Sequence, residues 1–148
     1  MEEILELKQL LLQGDIKGAL VIAEEIAEMS KKDIINNIYS FAVVLLLHLL
    51  KQKVENRTTR SWDTSIRNSV RNIKRLNKRL KSNGFYLDLE ELEETLIEAY
   101  SSALDDAALE VFEGIYEARQ LKTMVKEDDI IASALALITS TESTENHQ

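Results

Sequence analysis

The sequence predicts an all-α fold, a single bundle of five to six helices around a central apolar helix at about 31–53. Three observations carry this. Proline is absent and glycine occurs only four times in 148 residues, so the chain lacks the turn residues that a β-sandwich or a phosphate-cradling α/β protein needs. Apolar side chains recur at spacings of three and four along most of the chain, the period of an amphipathic helix. Hydrophobic residues make up 45% and charged residues 30%, and the length suffices to bury a core without disulfides or metals. The absence of cysteine removes disulfide frameworks, zinc knuckles and thiol nucleophiles together.

Each element has its own signal. Ile4, Leu7 and Leu11 mark a short first helix that ends before Gly14, a residue suited to the position after a helix. Asp15 can cap a second helix running to about Met29, and Ser30 with Asp33 suits the start of a third. That third helix, 31–53, is apolar on most of its circumference (Ile34, Ile38, Phe41, Leu45; Ile35, Tyr39, Ala42, Leu46, Leu49), which places it at the centre of the bundle. Ser61 can cap a helix over 62–81 with Trp62, Ile66, Val70, Ile73 and Leu80 inward, closed by Asn83-Gly84. Asp88 then caps a long helix from Leu89 towards Leu121, with Gly114 or Asp105-Asp106 as places where it could break. A last helix over 127–138 precedes a polar tail, 139–148, expected to be disordered. Residues 1–138 are thus expected to form one helical domain.

The start, MEEILELKQLLL, is acidic where a secretory signal carries a basic segment, so a cytoplasmic location is expected. Ile34–Leu50 has no formal charge but includes Asn36, Asn37, Ser40 and His48, and at the lower length limit for a bilayer span it reads as a buried core helix. No membrane partner is expected.

Charge is strongly segregated. Residues 57–81 hold nine basic side chains against Asp63 alone, whereas 88–117 hold eleven acids and no base, within a chain of net charge −8. Arg67, Arg71, Lys74, Lys78 and Lys81 recur every three or four residues and form a continuous stripe. Such a stripe can lie along nucleic-acid phosphates and bind them in a salt-sensitive, sequence-blind way. It can also face the acidic helix and be neutralised within the molecule. The second reading is preferred here, because charged helix faces usually pair or hydrate and a net negative chain repels a polyanion.

Chemistry-bearing constellations are sparse. Asp106, Glu110, Glu113 and Glu117 form an acidic row that could attract a hard cation, but no Glu-x-x-His pair of the kind used in bundle metal sites occurs. A solvated face explains the row, and neither a metal nor another cofactor is expected. His48 could serve as a base for Ser61 or shuttle protons beside Arg60 or Trp62, but nothing marks an oxyanion hole or a third member of a triad. A histidine bonded to backbone and a serine used as a cap are the simpler roles.

Residues 45–80, LLLHLLKQKVENRTTRSWDTSIRNSVRNIKRLNKRL, carry a pattern that resembles the small helical family catalogued as domain of unknown function 29, common in cyanobacteria. The matching elements are Leu-Leu-x-His-Leu-Leu-Lys (Leu45–Lys51), Arg60-Ser61-Trp62, Ile66-Arg67 and Arg71. The upstream LLLQGDIKGALVIAEEIAEMSKKD and downstream AYSSALDDAALE fit as well, so the resemblance spans most of residues 10–110. Gln52 departs from the pattern where members often carry tryptophan, and the proline-containing C-terminal segment of many members is missing. The resemblance implies an all-α fold and supplies no activity, cofactor or catalytic residue. It directs interest to His48, Arg60, Ser61, Trp62 and Arg67 as a set, read here as a hydrogen-bonded device joining two helices.

The expected function is a non-enzymatic protein–protein interaction module, a small acidic adaptor or regulator with a protein partner and the capacity to form a homodimer. The alternatives are nucleic-acid binding through 57–81, and an enzyme centred on His48, Arg60 and Ser61.

Overall fold

Six α-helices follow one another in the structure, a computed structural model that describes residues 2–79 and 84–140. They are α1 (Glu2–Leu12), α2 (Ile16–Glu55), α3 (Arg60–Asn77), α4 (Leu89–Glu110), α5 (Ala118–Met124) and α6 (Glu127–Thr139), with a 3-10 turn at Val111–Gly114 between α4 and α5. No strand occurs among the described residues; one isolated bridge pairs Lys78 with Phe85. The fold is all-α, as the composition and periodicity require.

The chain divides into two compact units, Met1–Asn36 and Asn37–Gln148. In the first, the left-handed Gly14 (φ +79°) ends α1, and the Asp15 carboxylate accepts the Gly18 N–H at 3.0 Å to open α2. Glu3 and Ile4 of α1 line a shallow cleft with Ile26, Met29, Ser30 and Asp33 of α2, so the two helices lie side by side. Ala19 is the one buried residue among those described in this unit.

In the second unit the C-terminal part of α2 forms the centre, as expected. Ile38, Ala42, Leu45, Leu46 and Leu50 are almost completely buried, and Tyr39 shares a 3.1 Å hydrogen bond with Ser102 of α4. By length and composition alone α2 could also cross a bilayer, but this row is already covered by protein. α4 contributes Leu96, Ala99, Ala103 and Ala107, small residues that let neighbouring helices approach. Helix α6 packs against both α3 and α4, burying Ile130, Ile131, Ala134 and Ile138.

Several expected boundaries need correction. The helices expected over 15–29 and 31–53 are one helix, and Ser30 and Asp33 are exposed within it. Polar residues cap a helix only where the backbone leaves helical angles, and the stretch Ser30–Asp33 holds no glycine or proline to make it do so. Helix α3 starts two residues earlier than expected: Thr59, not Ser61, is its cap, its hydroxyl accepting the Trp62 N–H at 3.0 Å. It also ends earlier, at Asn77. The buried Asn77 side chain clamps the main chain of Leu87, accepting its N–H at 2.7 Å and donating to its carbonyl at 3.1 Å. The expected inner residue Leu80, the closing Asn83, the stripe's Lys81 and the tail from 141 onward lie outside the described residues.

Asp88 opens α4 as expected, in a reciprocal capping box with Glu91. The long helix breaks near Gly114, not at Asp105-Asp106. Phe112, Glu113 and Gly114 all adopt positive φ (48°, 59° and 76°), and the Phe112 N–H donates to the Glu55 carboxylate at 3.0 Å. Three successive left-handed residues reverse the chain, and only glycine adopts that conformation without cost.

Candidate functional site

The turn from α2 to α3 assembles the densest polar cluster, and the sequence explains why. Helix α2 ends at Glu55, where Asn56 takes φ 53°; Asn is the commonest non-glycine residue to do so. The chain then passes through Arg57-Thr58-Thr59 into α3. Gln52 donates to the Thr58 hydroxyl at 2.7 Å and to the Asp63 carboxylate at 3.2 Å, and Thr58 donates to the same carboxylate at 2.8 Å. The last turn of α2 is thereby tied to the first turn of α3.

Trp62 sits half-buried in this junction with two cations against its ring. The Lys51 ammonium lies 4.8 Å from the ring centroid and the Arg57 guanidinium 4.6 Å, both within cation–π range. Each cation has an acid. Lys51, itself buried, donates to Glu110 of α4 at 2.6 Å, and Arg57 donates to Glu55 at 2.8 Å. Because Glu55 also accepts from Phe112, its carboxyl is held below the usual glutamate range, first by that backbone hydrogen bond and then by Arg57. One polar network therefore joins α2, α3, the end of α4 and the 3-10 turn.

The set singled out by sequence is only partly here. His48 lies half-buried on α2, its Nδ1–H donating to the Val44 carbonyl one turn back at 2.8 Å, the backbone role expected of it. Arg60 and Ser61 are exposed at the start of α3, and Arg67 is exposed with its guanidinium on Thr64 at 3.3 Å. No hydrogen bond among the described residues joins His48 to Arg60, Ser61, Trp62 or Arg67. The device that links the helices uses Lys51, Gln52, Glu55, Thr58 and Asp63 instead. Sequence reasoning missed these because polar residues at a helix end look solvated, and their meeting across the α2–α3 turn is fixed by the tertiary fold.

The acidic row does not survive as a row, because α4 stops at Glu110 and Glu113 sits in the left-handed turn. Among the described residues no group of three or more His, Asp or Glu side chains is arranged to hold a metal ion.

Among the described residues, Arg67, Arg71, Lys74 and Lys78 of the basic stripe form no ion pair with an acid of α4. Arg71 donates to Asn68 at 3.0 Å, Lys74 to the carbonyl of Ser140 just past α6, and Lys78 is exposed. The cation that α4 receives is Lys51. The physical reason is the packing partner. Helix α3 turns its buried Ile66, Ser69, Ile73 and Asn77 inward and packs on α6, which leaves the stripe on its flank. Burying apolar side chains outweighs an exposed ion pair, worth roughly 0–1 kcal/mol.

With this geometry in view, comparison with known families gives one result. The pattern of the domain of unknown function DUF29 matches residues 9–127. The chain belongs to the DUF29 family. The matched span reaches from the end of α1 to the first residue of α6, so it contains the Trp62 junction and the whole of α3 and α4. No curated protein and no solved structure matches the chain.

Proposed function

We propose that this DUF29 protein is a non-enzymatic interaction module, a small acidic cytoplasmic adaptor or regulator that docks a protein partner through α1 and the N-terminal part of α2. The observation that carries this is the unfinished core of the first unit. Ile4, Leu5, Leu11, Leu12, Ile16, Leu20, Val21 and Met29 are each half or more exposed, while Ala19 is the only described residue of the unit that is buried. Scattered surface leucines need no explanation, but so many on two short stretches of helix mark a contact surface.

Site-specific photo-crosslinking in cells tests the reading. A photoreactive residue at Leu12 or Leu20 should give a discrete protein adduct, and one at the exposed Glu98 of α4 should not. Equal labelling at all three positions, or none, would refute a docking role for the first unit.

The exposed flank of α3 favours a second reading, in which Arg67, Arg71 and Lys78 bind nucleic-acid phosphates. That reading predicts DNA or RNA binding at low salt which falls steeply as salt rises. Reversing the three residues to Glu should abolish it. The interaction reading predicts no binding at either salt concentration, in keeping with the net charge of −8.

A further inference from the structure

The turn that closes α4 carries an apolar patch with an acidic rim. We propose that this patch is a second docking surface, and that it takes a basic amphipathic helix from a partner protein. It belongs to the second unit, so the protein has two surfaces of different chemistry, as an adaptor requires.

Leu109, near the end of α4, is 77% exposed, and Ile115, just past the turn, is 73% exposed. Ile115 follows the fully buried Val111 by four residues, where an unbroken helix would carry it inward. The left-handed Phe112, Glu113 and Gly114 turn it outward instead. Gly114 lies against the end of α4, since a Cβ there would stand 3.3 Å from the Leu109 carbonyl oxygen. The chain thus folds back to Leu109 one residue before Ile115. Phe112 extends the patch, its ring edge-on to Tyr116 with centroids 5.6 Å apart. The Glu55 carboxylate accepts the Phe112 N–H at 3.0 Å and pins the turn to α2, so the surface is preformed. Apolar side chains gathered in this way on an exposed turn mark a contact site.

Charge names the partner. Asp105 and Asp106 stand four and three residues before Leu109 and flank it one helical turn earlier. Both are exposed, as is Glu113 in the turn, and none of the three is in an ion pair among the described residues. The two other acids here are taken, Glu110 by Lys51 and Glu117 by Arg119. No basic residue occurs between Asp88 and Glu117. An apolar surface rimmed by unpaired carboxylates fits a helix whose apolar stripe is edged by lysine or arginine. The same rim repels nucleic acid and anionic lipid. A second copy fits less well, because the basic flank of α3 exposes no large apolar side chain among the described residues.

Fluorescence anisotropy on the full-length chain tests the proposal, using a labelled helical peptide of leucine and lysine with its leucines on one face. A peptide of the same composition with scattered leucines, and an amphipathic peptide of leucine and glutamate, are the controls. The leucine–lysine helix should bind at micromolar concentration and each control at least about tenfold more weakly. Leu109→Ser/Ile115→Ser and Asp105→Asn/Asp106→Asn/Glu113→Gln should each weaken binding about tenfold or more, with helical circular dichroism unchanged. Leu20→Glu in the first unit should leave it unchanged. Binding indifferent to both sets of changes, or equal binding of the scattered peptide, overturns the proposal. Self-association that Leu109→Ser/Ile115→Ser abolishes in sedimentation equilibrium gives the patch to a second copy and overturns it too. None of these failures touches the Leu12 and Leu20 crosslinks on which the reading of the first unit stands.

Discussion

The Tyr100 hydroxyl lies in the core of the second unit, and among the described residues it has no hydrogen-bond partner. Burial, with a lesser contribution from Glu127, pushes its pKa up to about 12. Below pH 10 the folded and unfolded chains both keep the proton and stability is indifferent to it. Between about pH 10 and 12 the unfolded tyrosine ionises while the folded one does not, so stability falls as pH rises. Tyr100→Phe removes this alkaline loss and also an unsatisfied buried hydroxyl. Urea unfolding at neutral pH should show the variant unchanged or up to about 1 kcal/mol more stable, and the gap should widen above pH 10. Lys51 poses the converse case, a buried ammonium whose acid, Glu110, is half exposed. Glu110→Ala leaves the ammonium buried without its acid and should cost about 2–3 kcal/mol. Lys51→Met keeps a flexible side chain against Trp62 and leaves Glu110 free to hydrate, so chemical denaturation should show the smaller loss for Lys51→Met.

Helix starts are legible from local chemistry, because a cap satisfies donors within the next three residues. Asp15 and Asp88 behave accordingly. Thr59 displaced Ser61 for a reason that lies outside the local sequence: Gln52 on the preceding helix draws Thr58 and Asp63 together and sets where α3 begins. Helix ends depend more on distant partners. Asn77 stops α3 because its amide substitutes for a neighbouring strand and pairs with both main-chain groups of Leu87, a residue ten positions away. Asn77→Ala strands a buried N–H and a buried carbonyl, which predicts a loss of about 2–4 kcal/mol. Hydrogen exchange should report it as earlier opening of residues 84–88 than of α2; unchanged protection there would show that the clamp carries no stability. The left-handed turn after α4 was visible as Gly114, whereas the strain at Phe112 and Glu113 was not, since it is held by Glu55 from another helix.

For the whole molecule, the unfinished core of the first unit has a thermodynamic consequence. If a second copy covers α1 and the N-terminal part of α2, it binds only the folded form and raises its stability by mass action. The midpoint of thermal unfolding of the full chain should therefore rise with protein concentration over a hundredfold range, and Leu20→Glu should flatten that dependence. A midpoint independent of concentration would argue that the apolar surface of the first unit is left to solvent. Composition, period and turn residues by themselves determined an all-α chain with a central apolar helix at about 31–53 and two opposed charge blocks. These are local properties, written in spacing along one helix. Whether two helical stretches join into one, whether the basic flank of α3 meets the acids of α4, and which polar residues gather around Trp62 were decided only in three dimensions. Each depends on which faces pack together, and apolar burial chose α6 for α3 and left Arg67, Arg71 and Lys78 on its exposed flank.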